Sequence, residues 1–357
     1  MIKYPVSQPR IGALEKKLVN EVLDSTFVSM GPMVAQFERE LADYLNVRHV
    51  VCTTSGTTAL HLAFAALGLQ PGDEVIVPDL TYAATVSAIK YTGATPVFVD
   101  IDLETYCLNT RLTADAITPR TRAIVPVHLY GNSVNMGEVH GLAQENGLLV
   151  IEDACEGFSG RWYGWPLGTI GDAGCFSFFS NKLIATGEGG AVVTNDDGVA
   201  RRLRHLRAMC QTSERYVHDG VGFNYRMTDL QAALGVAQLQ QVDDMIEKRF
   251  TVIDRYRRHL CYHGLRMPSR PVAPWLFTFE LPEGVNRYLF MQRIADFGID
   301  SRPTFAPMHQ QFGCGGEGLF PVAEWIGRQG LSLPTYADLS LEAVDEICEV
   351  VCSLLNL

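Results

Sequence analysis

The sequence has little of what would mark several large classes of protein. Its 357 residues carry 29 Lys and Arg against 40 Asp and Glu, so no excess of positive charge is available to neutralise nucleic-acid phosphates. No apolar run approaches the roughly 18 residues that a membrane span needs. The N-terminal MIKYPVSQPR also lacks an apolar signal core. We therefore expect a cytoplasmic protein that binds neither nucleic acid nor membrane.

Cysteine and histidine form no pattern of a metal or disulfide site. The nine cysteines include no CxxC pair, and the nine histidines include no HExxH. Such scattered thiols are typical of reduced, mostly buried cysteines. The GxGxxG motif after a strand, the GxxxxGK(S/T) loop and the GxSxG elbow are also missing. We expect no metal, and dinucleotide binding, Walker-type nucleotide binding and serine-hydrolase chemistry lack their usual motifs.

Strand-like apolar segments alternate with helical segments over the first part of the chain. This alternation favours an α/β fold with a mostly parallel sheet. The predicted strands are His49–Cys52, Glu74–Val77, Thr95–Val99, Thr121–Pro126, Leu148–Glu152, Cys175–Phe178 and Ala191–Thr194.

The pattern changes after Gly222. Asp229–His259 is predicted to be one long helix, straight or bent, and Trp275–Leu281 a strand. Helices are predicted at Val285–Phe297 and Leu341–Leu355. We therefore divide the chain into a large domain, residues 1–240, and a smaller C-terminal α/β domain, residues 241–357.

One lysine stands out by its surroundings. Lys182 lies in CFSFFSNKLIATGEGGAVVTND, where a strand-like segment leads into a polar turn before a second apolar segment. A lysine beside buried chain is partly desolvated, which favours the neutral amine that attacks carbonyls. The alternative is a surface lysine in a hairpin.

Four other features would support chemistry at this lysine. The turn Thr54–Thr58 lies between a strand and a helix, where backbone N–H groups bind phosphate, although such turns also cap helices without a ligand. Asp153 ends a buried strand and either faces a crevice or caps a helix. Ser177, five residues before Lys182, could add a hydroxyl to a phosphate site. Asn224, in GFNYRMTD, has no structural explanation from helix capping.

Nearly the whole chain resembles the DegT/DnrJ-type sugar aminotransferases. The matching segments, in order, are TSGTTALHLA, PGDEVIVPDLTYAATVSAI, PVHLYGN, VIEDACEGF, FSFFSNKLIATGEGGAVVTND, GFNYRMTDLQAALG and SRPTFAPMH. The resemblance implies fold type I of the enzymes that use pyridoxal 5'-phosphate, with a large domain built on a mixed seven-stranded sheet and a smaller C-terminal domain. It also implies a homodimer with active sites at the subunit boundary.

The resemblance assigns roles to individual residues. Lys182 matches the Schiff-base lysine, and Asp153 the partner of the ring nitrogen. Gly56 and Thr57 match the phosphate-binding turn, and Ser177 the phosphate-binding serine. Tyr82 occupies the position that stacks on the cofactor ring. Asn224 matches an asparagine that reaches the phosphate in the neighbouring subunit.

The assignment of the chain to a branch of the family rests on two positions. Related 3-dehydratases carry histidine where this chain has Lys182, so the chain is interpreted as a transaminase. Glu156 replaces the Gln or His that many members have near the phenolic oxygen of the cofactor, and the alternative is a surface glutamate in a helix. Glu156 and the lysine segment most resemble the perosamine synthases.

The expected substrates follow from that branch. They are L-glutamate, which leaves as 2-oxoglutarate, and GDP-4-keto-6-deoxymannose. UDP- or dTDP-keto sugars aminated at C3 or C4, and a non-catalytic binding protein of the same fold, are the alternatives. Candidate sugar contacts are His309, Tyr216, His218 and Arg302, each of which could equally be a surface residue.

Overall fold

The computed structural model describes residues 2–311 and 318–357 of the chain. Within these residues the β-strands are β1 His49–Thr53, β2 Glu74–Pro78, β3 Thr95–Val99, β4 Thr121–Ile124, β5 Leu149–Asp153, β6 Arg161–Trp162, β7 Trp165–Pro166, β8 Ala173–Ser177, β9 Gly190–Thr194, β10 Phe277–Glu280, β11 Arg302–Pro303 and β12 Gly330–Leu333. The α-helices are α1 Ala13–Ser25, α2 Pro32–Leu45, α3 Gly56–Ala66, α4 Ala83–Tyr91, α5 Thr110–Asp115, α6 Met136–Asn146, α7 Asp197–Arg207, α8 Asp229–Leu239, α9 Val242–Tyr262, α10 Arg287–Asp296, α11 Pro321–Gln329 and α12 Leu341–Leu355. No described helix is both long and apolar enough to cross a membrane.

A seven-stranded mixed sheet organises the first part of the chain. Its strand order is β1-β9-β8-β5-β4-β2-β3. The neighbours from β8 to β3 are parallel, while β9 runs antiparallel to both β1 and β8. Short apolar strands such as β2 and β9 are buried along their whole length, as expected for strands covered by helices on both faces. The predicted α/β fold with a mixed seven-stranded sheet is therefore confirmed.

The single long helix predicted at Asp229–His259 is wrong. The chain forms α8 and α9, and the break falls at Gln240–Gln241. The side chains of Gln238 and Gln241 both donate to Oε1 of the buried Glu15, at 2.8 and 2.9 Å. The buried residues of α8 are mostly small and apolar, whereas α9 has a charged face, so the two segments meet different surroundings. Periodicity alone did not show this change of environment.

Within residues 2–311 and 318–357, the buried apolar side chains form three clusters. One lies on the strands β2 to β5 with α3 and α4, and a second joins α2, α8, β1 and β9. The third holds residues of α9, α10, α12, β10 and β12, together with Tyr4. Residues after 270, including Trp275, Met308 and Ile326, pack into the first cluster. The proposed domain boundary at residue 240 stays a prediction.

Candidate active site

A cavity of about 630 Å³ opens where β1, β5 and β8 end. Ligands in open α/β sheets bind at the carboxyl ends of strands, and pockets of roughly 300–1,000 Å³ hold small molecules. The lining includes eight of the residues singled out from the sequence, which are Gly56, Thr57, Tyr82, Asp153, Glu156, Ser177, Lys182 and Arg302. Strands and loops far apart in the sequence thus deliver these side chains to one place.

The N-terminus of α3 forms one end of the cavity. Ser55 caps the helix by accepting the N–H of Thr58 on its Oγ at 3.1 Å. First-turn N–H groups have no partner within a helix, and the helix dipole favours an anion there. A Cβ on Gly56 would lie only 2.8 Å from Cβ of Ser177. Glycine is therefore what lets the turn approach the Ser177 hydroxyl, and the arrangement suits a phosphate.

Asp153 is buried at the end of β5 and held from two sides. Thr85 Oγ1 donates to Oδ2 at 2.7 Å, and the N–H of Cys155 donates to Oδ1 at 3.1 Å. Thr81 and Thr85 share a further hydroxyl contact of 2.9 Å. Each carboxylate oxygen can accept more than one hydrogen bond, so the fixed group can still receive an N–H donor in the cavity.

Lys182 lies in the loop after β8, with 14% of its side chain exposed. Its Nζ lies 3.6 Å from Oε1 of Glu156 and 4.1 Å from the centre of the Trp275 ring. Oε2 of Glu156 accepts the N–H of Tyr130 at 2.9 Å. Burial raises the pKa of Glu156 to about 7, against the opposing pull of Lys182 and the Tyr130 N–H. Glu156 faces this cavity in the turn after β5, so the alternative of a surface glutamate in a helix is wrong.

An aromatic wall of four rings lines the cavity. Tyr82, 60% exposed, lies 5.6 Å from Phe305, which lies 5.6 Å from Tyr130. Tyr130 in turn lies 5.7 Å from Trp275. Sequence analysis found Tyr82 alone among these rings. Tyr130 and Phe305 stood within the quoted segments PVHLYGN and SRPTFAPMH, whereas Trp275 comes from a distant segment whose sequence carries no sign of this contact.

Four predicted residues do not line the cavity of their own chain. Asn224 is exposed and forms an isolated bridge with Ala208. His309 Nδ1 lies 2.6 Å from Oδ2 of the buried Asp79, and its ring stacks on Phe320. The other two are Tyr216, which is exposed, and His218, whose Nδ1 lies 2.8 Å from the carbonyl oxygen of Met209. The role of Asn224 at the cofactor phosphate of a neighbouring subunit stays a prediction, as do the roles of the other three residues at a sugar site.

One group of potential metal ligands lies outside the cavity. His205, Cys210 and Asp219 each place a ligand atom within 4.8 Å of the others. His205 Nε2 and Asp219 Oδ1 are 2.6 Å apart. A histidine–carboxylate contact accounts for these two side chains without a metal. The sequence gives no sign of this group, because His205 lies on α7 and meets Cys210 and Asp219 only through the fold of the segment that follows.

Comparison with known proteins identifies the family. The sequence model of the DegT/DnrJ/EryC1/StrS aminotransferase family matches residues 9–352. The chain belongs to this family. GDP-perosamine synthases are similar at 42% identity, one from Caulobacter vibrioides covering 97% of this chain and 96% of its own length, and one from Escherichia coli O157:H7 covering 98% of both. A UDP-N-acetyl-3-dehydro-alpha-D-glucosamine 3-aminotransferase from Acidithiobacillus ferrooxidans is 38% identical and covers 93% and 91%.

Solved structures of related proteins share the fold. Helicobacter pylori PseC, an aminotransferase of pseudoaminic acid biosynthesis, superposes with a TM-score of 0.95 at 26% identity and covers 99% of both chains. An E. coli GDP-4-keto-6-deoxy-D-mannose-3-dehydratase with bound hydrated pyridoxal phosphate has a TM-score of 0.93 at 27% identity, covering 98% of this chain and 100% of its own. The predictions of an aminotransferase, of fold type I and of pyridoxal 5'-phosphate as the cofactor are confirmed.

The residues of the cavity fit pyridoxal 5'-phosphate. The α3 turn with Ser177 suits the phosphate, the fixed carboxylate of Asp153 suits a protonated ring nitrogen, and the amine of Lys182 suits the aldehyde. The exposed ring of Tyr82 offers an aromatic face. These groups match the functional parts of one small molecule.

Proposed function

We propose that this DegT/DnrJ/EryC1/StrS family member moves the amino group of L-glutamate to a nucleotide-linked 4-keto-6-deoxy sugar, GDP-4-keto-6-deoxymannose, giving GDP-perosamine. The observation that best supports transaminase activity is that the amine of Lys182 lies in one cavity with Asp153 and the α3 turn. The similarity to GDP-perosamine synthases over nearly the full chain supports the sugar and the nucleotide.

We expect Lys182 both to form the bond to the cofactor and to transfer the proton of the reaction. When bound, pyridoxal 5'-phosphate supplies an aldehyde that accepts an amino group and a protonated ring that stabilises negative charge on the attached carbon. With the cofactor bound, Lys182 Nζ would hold it before reaction. Once the amino group of the donor had replaced Lys182, the freed amine would remove the proton from the α-carbon of the donor. Positioned proton transfer of this kind contributes about 100- to 10,000-fold in rate.

The other cavity residues hold and orient the cofactor. Asp153, fixed by Thr85 and the Cys155 N–H, keeps the ring nitrogen protonated. The turn at Gly56 and Thr57 and the hydroxyl of Ser177 hold the phosphate. Later, Lys182 delivers a proton to the sugar carbon that receives the amine, so one side chain serves both halves of the reaction.

Shared sites in a homodimer are part of the proposal. Asn224 is exposed on its own chain and lies outside the lining of its own cavity. An asparagine so placed is available to a neighbouring copy, as the family resemblance implies. In a two-fold dimer each chain would supply this residue to the site of the other.

A second candidate is amination of a UDP-linked 3-keto sugar. The 38% identity to the Acidithiobacillus ferrooxidans 3-aminotransferase favours it over a dTDP-linked sugar. A 3-dehydratase is disfavoured because Lys182 stands where those enzymes are expected to carry histidine. A non-catalytic binding protein would have no need of the complete set of lysine, aspartate and phosphate turn.

A substrate panel distinguishes these functions. The purified protein is mixed with L-glutamate and, in turn, GDP-4-keto-6-deoxymannose, a dTDP-4-keto-6-deoxy sugar and a UDP-3-keto sugar, and products are identified by mass and NMR. GDP-perosamine as the main product supports the proposal. Amination of the UDP-3-keto sugar alone establishes the second candidate instead. A colourless protein that releases no 2-oxoglutarate with any acceptor would contradict both.

A further inference from the structure

Arg249 is a buried cation without an acidic partner. It lies on α9 with 3% of its surface exposed, and among the described residues no carboxylate forms an ion pair with it. Burial lowers the pKa of Arg249 to about 10. A buried charge without a counterion is costly to fold around. The guanidinium is hydrogen-bonded to main-chain carbonyl oxygens instead.

The guanidinium joins two main-chain segments of the cavity wall. Nη2 donates to the carbonyl oxygen of Lys182 at 3.2 Å, and Nη1 donates to that of Trp275 at 3.4 Å. Trp275 reaches back to the same loop, because its Nε1 donates to the carbonyl oxygen of Asn181 at 3.2 Å. The Trp275 ring also lies against Lys182 Nζ. Arg249 thus contacts the Lys182 carbonyl, while Trp275 contacts the Asn181 carbonyl and the Lys182 amine.

The loop that carries Lys182 depends on such outside contacts. It connects β8 to β9 without a helix or strand of its own. Within it, the N–H of Lys182 donates to the carbonyl oxygen of Phe179 at 2.8 Å, and Leu183 and Ile184 are buried. Among the described residues, no main-chain N–H donates to the carbonyls of Asn181 and Lys182, whose partners are the side chains of Trp275 and Arg249. Partners from other elements of this kind fix a side chain in one place.

We propose that Arg249 is a positioning residue for the aminotransferase reaction, acting with Trp275 to fix the main chain at Lys182 so that the amine is delivered to one point in the cavity. This inference rests on the proposed role of Lys182. Arg249 itself touches the main chain and not the reacting atoms. Its loss should change where the amine lies more than whether substrates bind.

The expected kinetic effect is a fall in kcat. A misplacement of about 1 Å costs on the order of 100-fold in rate, so Arg249→Met should lower kcat by about 10- to 100-fold with a much smaller change in the KM for glutamate. Arg249→Lys keeps a cation that reaches one carbonyl, and it should recover part of the loss. Arg257→Met is the matched control, because Arg257 lies on the same helix and donates to the carbonyl of Pro268.

Hydrogen exchange on the cofactor-free protein gives a readout independent of turnover. In Arg249→Met, the peptide covering residues 179–185 should exchange faster and Lys182 should react with an acylating reagent at a changed rate, while the second half of α9 stays protected. Arg257→Met should leave both properties of the lysine loop as in the unmodified protein. Equal behaviour of the two variants in exchange, acylation and kcat would overturn the proposal.

A second variant covers the case in which Arg249→Met does not fold. Trp275→Phe keeps a ring but loses the donor to Asn181, so faster exchange at 179–185 supports the proposal and unchanged exchange overturns it. Borohydride reduction of the unmodified holoenzyme tests the role of Lys182 separately. If the cofactor is not trapped on Lys182, the proposed function fails; if it is trapped and the variants behave alike, only the role of Arg249 fails.

Discussion

The carboxylate of Glu156 lies 3.6 Å from the amine of Lys182, Oε1 to Nζ, and both side chains are largely buried. Several influences act on the acid. Burial and the charge of Asp153 favour the protonated form, whereas Lys182 and the N–H of Tyr130 favour the ionised form. Burial is the largest, and the pKa of Glu156 is raised to about 7. Glu156 therefore changes its charge near neutral pH.

Glu156→Gln should change how stability depends on pH in the cofactor-free protein. The carboxyl keeps its proton to a higher pH in the folded state, about 7, than its ordinary value of 4.5. The folded state thus binds more protons in this window, and the wild type loses stability as the pH rises through it. Gln does not titrate, so the free energy of unfolding of the variant, relative to wild type, should rise between pH 5 and 7, by at most about 1.4 kcal/mol per pH unit.

Denaturant unfolding at pH 5, 6, 7 and 8 measures this difference. Glu188→Gln serves as a control, because Glu188 also lines the cavity but is exposed. A difference between Glu156→Gln and wild type that does not vary with pH would show that Glu156 ionises at its ordinary pKa.

Gly56→Ala should weaken cofactor binding. The added Cβ would meet Ser177 at 2.8 Å and push apart the two sides of the phosphate site. Spectroscopic titration of the cofactor-free protein should show at least about a tenfold rise in the dissociation constant, which corresponds to about 1.4 kcal/mol. Gly141→Ala is the control, because it lies in α6 with open space around its Cβ position. Equal affinities in the two variants would contradict a phosphate site at α3.

Asp153→Asn should reduce turnover far more than cofactor binding. The amide keeps the size of the carboxyl group but loses the charge that holds the ring nitrogen protonated. We expect a kcat loss of about 100-fold or more, with proton removal from the donor becoming slower. Asp172→Asn, which changes an acid bonded to the N–H of Val150 at the other end of β5, is the control. A normal rate, with an isotope effect showing that proton transfer limits turnover, would rule out this role.

The sequence predicted those parts of the site that come from local segments. Gly56 begins a helix, Asp153 ends a strand and Lys182 lies in the loop after a strand. Strand ends of a parallel sheet converge in space. Their approximate places could be expected before the structure was known. Glu156 was also found, although only the structure shows it to be buried beside Lys182 rather than on the surface.

The parts that sequence analysis missed depend on contacts between distant segments. Trp275 reaches Lys182 across more than ninety residues of chain, and Arg249 bonds to both. Helical periodicity marked Arg249 as part of a long helix but gave no sign of a buried guanidinium. The break between α8 and α9 was missed for a similar reason, because it depends on the buried Glu15 of another helix.

Subunit exchange tests the proposed dimer. A mixture of Lys182→Ala and Asn224→Asp chains would contain dimers with one doubly defective site and one intact site, if Asn224 serves the other subunit. Activity should return towards about one working site per mixed dimer under conditions that allow exchange, and not without exchange. The Asp variant also repels a phosphate, which makes it the more severe change. Confirmed exchange without any recovery would place Asn224 in its own site or in none.

Transfer of labelled nitrogen tests the central claim most directly. The protein is incubated with ¹⁵N-glutamate and GDP-4-keto-6-deoxymannose, alongside Lys182→Ala and a Lys248→Ala control, whose lysine is exposed and pairs with Asp244. The account predicts GDP-perosamine carrying ¹⁵N from the wild type and from Lys248→Ala, and none from Lys182→Ala. Labelled product from Lys182→Ala at the wild-type rate, or none from the wild type, would contradict it.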